Sequence, residues 1–191
     1  MYSLNSSKHK LILIGASTGG PGHIQKILEN IEEGFKASII IAQHMGKEYL
    51  PSFAKMLNQY CTLSVKMAKE GMICVPSEVY ICSGQCVLQN KSIFSMNPSK
   101  EYSYNPDINI LFDSVSKLTA EFEVLSVVLT GIGDDGAKGT QSLVNVGARC
   151  LAESKESSVV YGMSKRASEV SSQVEVKTLE EIIGEIKRFG S

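Results

Sequence analysis

The sequence lacks the features that would place the protein in a membrane or on nucleic acid. No apolar run in its 191 residues approaches the roughly 20 needed to span a bilayer, and the polar N-terminus has no signal-peptide core. Lys and Arg number 19 against 20 Asp and Glu, without any basic block that could neutralise phosphates. With 43% hydrophobic and 20% charged residues, we expect a globular cytoplasmic protein that does not bind nucleic acid.

Paired cysteine spacing is also missing. The five cysteines are odd in number and contain no C-x-x-C pair. This pattern favours small buried residues in a reducing compartment over disulfides or zinc ligands. We therefore predict no zinc site at the cysteines, and separately we expect the protein to need no cofactor.

Three apolar runs predict strands that are buried on both faces. KLILIG, ASIIIAQ and FEVLSVVLT are continuously apolar rather than alternating, as in a parallel sheet. Helical spacing follows each run, and Thr178 with Glu181 predicts a capping box before a terminal helix. The short segments in 62–94 predict a small antiparallel insertion or meander, and 99–106 a loop. Together these patterns predict one doubly wound α/β domain.

Each of the three strands ends in a turn that carries a residue able to do chemistry. In such folds ligands bind beyond the carboxyl ends of the parallel strands. The first turn, GASTGGPG, matches the nucleophile-elbow pattern G-x-S-x-G around Ser17. The segment alone leaves two other interpretations open, in which Ser17 or Thr18 caps the next helix or the turn binds phosphate.

Histidine and aspartate are scarce, which leaves few candidates for a general base and for a carboxylate that orients it. Of three histidines, only His44 ends a predicted buried strand; His9 lies in the predicted tail and His23 on a predicted solvated helix surface. A strand-end histidine near a serine is a plausible general base. Two of the four aspartates, Asp134 and Asp135, fall in the third turn, where a carboxylate can orient the histidine. The alternatives are that these two aspartates belong to an ordinary Asp-Gly turn or that they bind a metal ion.

The motifs GASTGGP, IIIAQHM and VVLTGIGDDGAKG resemble the catalytic domain of the CheB protein-glutamate methylesterases. SFAKMLN, EVYICSG, DINILFDSV and SSVVYGM extend the similarity, in order, over nearly the whole chain. The resemblance implies a three-layer α/β/α sandwich with a mostly parallel sheet. It also implies a serine hydrolase that demethylates glutamate 5-methyl esters on the cytoplasmic helices of chemotaxis receptors, releases methanol and in many members deamidates glutamines. Contact with the membrane would then occur only through those receptors.

The resemblance assigns roles to five positions. Ser17 matches the nucleophile, His44 the general base and Asp135 the orienting aspartate, while Asp134 takes a variable position. Thr18 adjoins the nucleophile, and the backbone N–H of Ile132 falls near the oxyanion hole, where the family has methionine.

Two departures from the family pattern concern one segment and the domain organisation. Lys155 stands where the family often has glutamate, and Ser164 replaces a proline, so substrate contacts there are expected to differ. Residues 1–191 read as a single catalytic domain, because the first strand starts near Lys10 and leaves no room for the usual receiver domain. Two rival functions remain, a phosphate-binding α/β module and a noncatalytic adaptor on receptor helices.

Overall fold

The computed structural model describes residues 8–96 and 104–191, which form nine strands and six α-helices. The strands are β1 His9–Ala16, β2 Ser38–Gln43, β3 Ser64–Met67, β4 Glu78–Ile81, β5 Cys86–Gln89, β6 Ile93–Met96, β7 Phe122–Val128, β8 Arg149–Glu153 and β9 Glu175–Lys177. The helices are α1 Gly20–Glu29, α2 Leu50–Leu57, α3 Ile108–Ser116, α4 Ala137–Asn145, α5 Met163–Ser168 and α6 Leu179–Gly190. Helices follow the strands in alternation except between β3 and β6.

Seven strands form one sheet in the order β3-β4-β2-β1-β7-β8-β9, and every pairing in it is parallel. The chain leaves β1 toward β2 on one side and later returns to β7 on the other. Ile14 of β1 therefore pairs with Ile41 of β2 and with Val127 of β7. This reversal beside β1 is a topological switch point, where α/β sheets commonly bind ligands.

Helices cover both faces of the sheet and create two cores. The first core takes Ile12 and Ile14 of β1 and packs them against α1, α2 and α6. The second takes Leu11 and Leu13 of the same strand and packs them against α3, α4 and α5. Alternate residues of a strand point to opposite faces, so burial on both sides explains the continuous apolar run. The predicted three-layer α/β/α sandwich is confirmed.

The prediction for 62–94 is only partly right. Strands β5 and β6 pair as an antiparallel hairpin, and an antiparallel bridge joins Ile73 to Ile93 of β6. The other two short strands, β3 and β4, join the main sheet in parallel. Because β4 lies between β2 and β3, its residues Val79, Tyr80 and Ile81 are completely buried. Most of the predicted loop at 99–106 lies outside the described residues.

Of the other local predictions, some are confirmed and one is wrong. Thr178 and Glu181 form the predicted capping box of α6, with the side chain of each accepting from the other's backbone N–H. His9 was predicted in the tail and instead begins β1, with its Nε2 2.8 Å from Ser38 Oγ. The cysteines are unpaired as predicted, and four of the five are buried. Among the described residues, no helix is long and apolar enough to cross a membrane.

Candidate active site

Ser17 lies in the turn between β1 and α1. The turn ends at Gly19, which is the N-cap of α1 and has a left-handed φ of 86°, so no side chain caps this helix. Neither Ser17 nor Thr18 caps the helix, so that interpretation is wrong. The Ser17 backbone N–H donates to Thr130 O at 3.0 Å, and its side chain remains partly exposed. The hydroxyl is thus presented to solvent at the end of the sheet.

The turn after β7 packs directly on Ser17. A Cβ added at Gly131 would lie 2.7 Å from Ser17 Cβ and 2.4 Å from Met163 Sδ, so position 131 has no room for a side chain. A Cβ at Gly19 would likewise lie 2.6 Å from Val159 Cβ. These close approaches show that the segments after β7 and β8 both pack against the Ser17 turn.

His44 follows β2 and contacts Asp135 from the turn after β7. Its Nε2 lies 2.7 Å from Asp135 Oδ2, and its side chain is 14% exposed. This contact uses Nε2, so Nδ1 is the ring nitrogen left to accept a proton. Ser17 Oγ has no hydrogen bond to His44 or to any other described residue; a base and its nucleophile often close up only when substrate binds.

The Asp135 carboxylate is fully buried and accepts four hydrogen bonds. Oδ2 accepts from the backbone N–H of Ile108 at 2.9 Å in addition to His44. Oδ1 accepts from the N–H groups of Asn109 at 3.0 Å and Gly136 at 2.9 Å. Two of these donors are the first residues of α3, whose N-terminal dipole favours a negative charge. The fold therefore holds this carboxylate in one orientation.

The neighbouring aspartate has a different partner. Asp134 is exposed, and its Oδ1 accepts a hydrogen bond from the Tyr104 hydroxyl at 3.3 Å. Burial, followed by the charge of Asp134, raises the pKa of Tyr104, so the hydroxyl stays a donor at neutral pH. Of the two sequence candidates, the structure brings only Asp135 to the histidine.

Tyr104 is a site residue that sequence reasoning missed. Its ring stacks on the His44 imidazole with centroids 5.0 Å apart and an interplanar angle of 3°. The stacked ring covers one face of the imidazole and restricts its rotation. Tyr104 precedes α3 in a segment without periodicity or motif, so nothing in the sequence pointed to this contact.

Gln43 was also missed as a site residue, although it sits next to His44. It is buried, and its Nε2 donates to the carbonyl oxygens of Ser17 and His44, both at 2.9 Å. One amide group thus links the backbones of the candidate nucleophile and base. A buried polar residue in an otherwise apolar strand was the signal available in the sequence.

Free backbone donors flank Ser17. The N–H groups of Thr18 and Ile132 make no hydrogen bond with any described residue. Two such donors near a serine are the elements of an oxyanion hole. The Ile132 side chain is 63% exposed, as is Val159 on the other side of the turn, so two apolar groups border the site.

A comparison with models of protein families identifies the family of the chain. The model of CheB methylesterase matches residues 12–186. The chain belongs to the CheB methylesterase family. The same residues carry the strand-end turns described above, so the family match covers the whole candidate site.

Individual relatives agree with this assignment. A protein-glutamate methylesterase/protein-glutamine glutaminase of Halalkalibacterium halodurans is 36% identical over 93% of the chain, and one of Bacillus subtilis is 34% identical over 93%. The chain covers 53% and 51% of those proteins, so it spans about half their length. The crystal structure of the Thermotoga maritima CheB methylesterase catalytic domain is 30% identical with a TM-score of 0.86, covering 94% of this chain and 98% of that one.

The two departures from the CheB pattern lie in different environments. Lys155 is exposed in the turn after β8, where it can meet a bound macromolecule. Ser164 is fully buried in α5, and its Oγ lies 3.4 Å from Ser158 Oγ. The Ser164 side chain is therefore not accessible, and the expectation that substrate contacts differ in this segment stays a prediction. No cluster of metal-ligating side chains occurs in the described ranges.

Proposed function

We propose that the protein is a serine esterase that removes methyl groups from glutamate 5-methyl esters on the cytoplasmic helices of chemotaxis receptors. Membership of the CheB methylesterase family supports the reaction. The observation that carries the proposal is the 2.7 Å contact between His44 Nε2 and buried Asp135, beside the exposed Ser17 turn. Residues 1–191 act as one cytoplasmic catalytic unit in this proposal and require no cofactor.

The reaction proceeds through an acyl-enzyme. Ser17 Oγ attacks the ester carbonyl carbon while His44 Nδ1 takes the hydroxyl proton. The Asp135 carboxylate stabilises the resulting imidazolium. The N–H groups of Thr18 and Ile132 stabilise the tetrahedral oxyanion, such donors contributing roughly 3 kcal/mol each.

Collapse of the tetrahedral intermediate breaks the ester C–O bond. His44 returns the proton to the departing oxygen, and methanol leaves. Water then attacks the acyl-enzyme by the same route and releases the glutamate side chain. A glutamine side chain at the same position would lose ammonia instead, which is the reaction included in the names of the relatives.

Methanol release from methylated receptor fragments tests the proposal. Wild-type protein is expected to release methanol, while Ser17→Ala and His44→Ala lose several orders of magnitude in turnover, because the triad acts as a unit. Receptor binding should change far less. Receptor binding without methanol release by the wild type would support the adaptor function. Stabilisation by phosphate without Ser17 acylation would support the phosphate-binding module.

A further inference from the structure

A second histidine–carboxylate contact lies behind the Ser17 turn. Glu153 ends β8 and is completely buried. Its Oε2 accepts a hydrogen bond from the Thr130 backbone N–H at 2.9 Å, and its Oε1 accepts one from the Ser157 hydroxyl at 2.8 Å. A buried carboxylate costs stability unless donors surround it, so this arrangement requires several partners.

His23 is the third partner of this carboxylate. Its Nδ1 lies 3.2 Å from each Glu153 oxygen, and its side chain is only 15% exposed. The prediction of a solvated His23 is therefore wrong. The residue lies on α1, the helix that starts just after Ser17, and its side chain contacts the buried Glu153 of β8.

Thr130 connects this pair to the active site. Its carbonyl accepts from the Ser17 N–H at 3.0 Å, and its Oγ1 donates to Thr18 O at 2.8 Å. The same Oγ1 accepts from the Val160 N–H at 2.8 Å. Thr130 is also the first residue of the turn that carries Ile132. The position of Thr130 therefore affects both the nucleophile and an oxyanion donor.

We propose that Glu153 is a positioning residue for acyl transfer, acting through Thr130. Its carboxylate fixes the Thr130 N–H, and Thr130 in turn fixes the Ser17 turn and the start of the 130–133 turn. The proposal rests on the esterase function proposed above. Displacing such groups by about 1 Å can cost about 100-fold in rate, so loss of this one acceptor is expected to affect turnover.

Two substitutions separate positioning from folding. Glu153→Ala removes the acceptor and is expected to lower kcat by about 30- to 100-fold with KM changed less than about threefold. Glu153→Gln keeps an oxygen for the Thr130 N–H, while its amide can donate to Ser157 and to neutral His23. This variant is expected to retain kcat within about fivefold of wild type, because the acceptor geometry survives.

Glu185→Ala is the matched control. Glu185 is also a nearly buried carboxylate, 9% exposed, and is paired with Arg149 at the opposite end of β8. Its loss is expected to lower the melting temperature while leaving kcat unchanged. Wild-type kcat in Glu153→Ala, or equal losses in Glu153→Ala and Glu153→Gln, would overturn the proposal.

A reagent independent of the receptor keeps the two proposals distinguishable. A fluorophosphonate forms a P–O bond with Ser17 Oγ and releases fluoride, without any receptor contact. Its labelling rate should fall in Glu153→Ala and recover in Glu153→Gln, in parallel with kcat. Slower labelling of Glu153→Ala with no methanol release from wild type would reject only the receptor function. Equal labelling of all variants, with normal methanol release by wild type, would reject only the role of Glu153.

Discussion

Asp135→Asn is expected to reduce ester hydrolysis by about 10³- to 10⁴-fold, because an amide cannot satisfy the donors around this position. The native carboxylate accepts from His44 Nε2 and three backbone N–H groups, at distances from 2.7 to 3.0 Å. Each oxygen receives two of these four bonds. Asparagine replaces one oxygen with an NH₂ group, which must then face two donors.

The two orientations of the amide are not equivalent. With NH₂ in the Oδ1 position, it opposes the backbone N–H groups of Asn109 and Gly136, neither of which can change protonation. With NH₂ in the Oδ2 position, it opposes His44 and only one backbone group, that of Ile108. His44 can adapt by moving its proton to Nδ1, so the second orientation is favoured.

That adaptation would leave the proposed base, His44, unable to accept a proton at Nδ1. The proton on Nδ1 occupies the nitrogen that must accept the Ser17 proton, so the histidine is in the wrong tautomer for attack. A 10⁴-fold loss corresponds to about 5.4 kcal/mol of transition-state stabilisation at about 1.36 kcal/mol per factor of ten. The Ile108 N–H remains unsatisfied, which should lower the free energy of unfolding by about 1–3 kcal/mol.

Steady-state methanol release and urea unfolding measure the two effects separately. Asp134→Asn is the matched control, since this exposed carboxylate contacts only Tyr104 and its loss should leave turnover within about threefold, as for surface changes. The reasoning fails if Asp135→Asn keeps near-wild-type kcat, or if Asp134→Asn proves the more damaging substitution.

Three further predictions test other features of the structure. Tyr104→Phe keeps the ring stacked on His44 and should retain activity, whereas Tyr104→Ala should lower kcat about tenfold by freeing the imidazole, with steady-state kinetics as the measurement. Gly131→Ala should abolish most activity, because the added Cβ would clash with Ser17 and Met163. Gly22→Ala is the control and should retain activity, because its Cβ would meet no atom within 4 Å. The rate of fluorophosphonate labelling of Ser17 measures the difference between the two variants. Thr178→Ala should lower the free energy of unfolding by about 1 kcal/mol through loss of the α6 cap, and an unchanged denaturation midpoint would contradict this.

The strands at the centre of the sheet were predictable because their burial is uniform. A strand covered by helices on both faces needs apolar residues at every position, and β1, β2 and β7 show this in the sequence. The glycine turns after them placed Ser17, His44 and the Asp134–Asp135 pair at one edge, since parallel strands end together. The cap of α6 was readable because the contact spans only three residues.

Contacts between distant segments were not predictable. Strands β3 and β4 are four residues each, too short to encode that they pair in parallel with each other and that β4 also pairs with β2. The His23–Glu153 contact joins residues 130 positions apart, and the Tyr104–His44 stack joins two loops. No local pattern records which distant partner a polar or aromatic side chain will meet.

The sequence alone therefore determined the fold class, the family and the chemistry available at the strand ends. Tertiary structure supplied the physical basis for Asp135, the aspartate that the resemblance assigned: packing at the start of α3 buries Asp135 while leaving Asp134 exposed. It also decided that Nε2, not Nδ1, faces the carboxylate. The physical reason is the separation of the interacting residues along the sequence. Strand burial and helix caps depend on neighbours in the chain, whereas the orientation of a side chain depends on elements brought together only by folding.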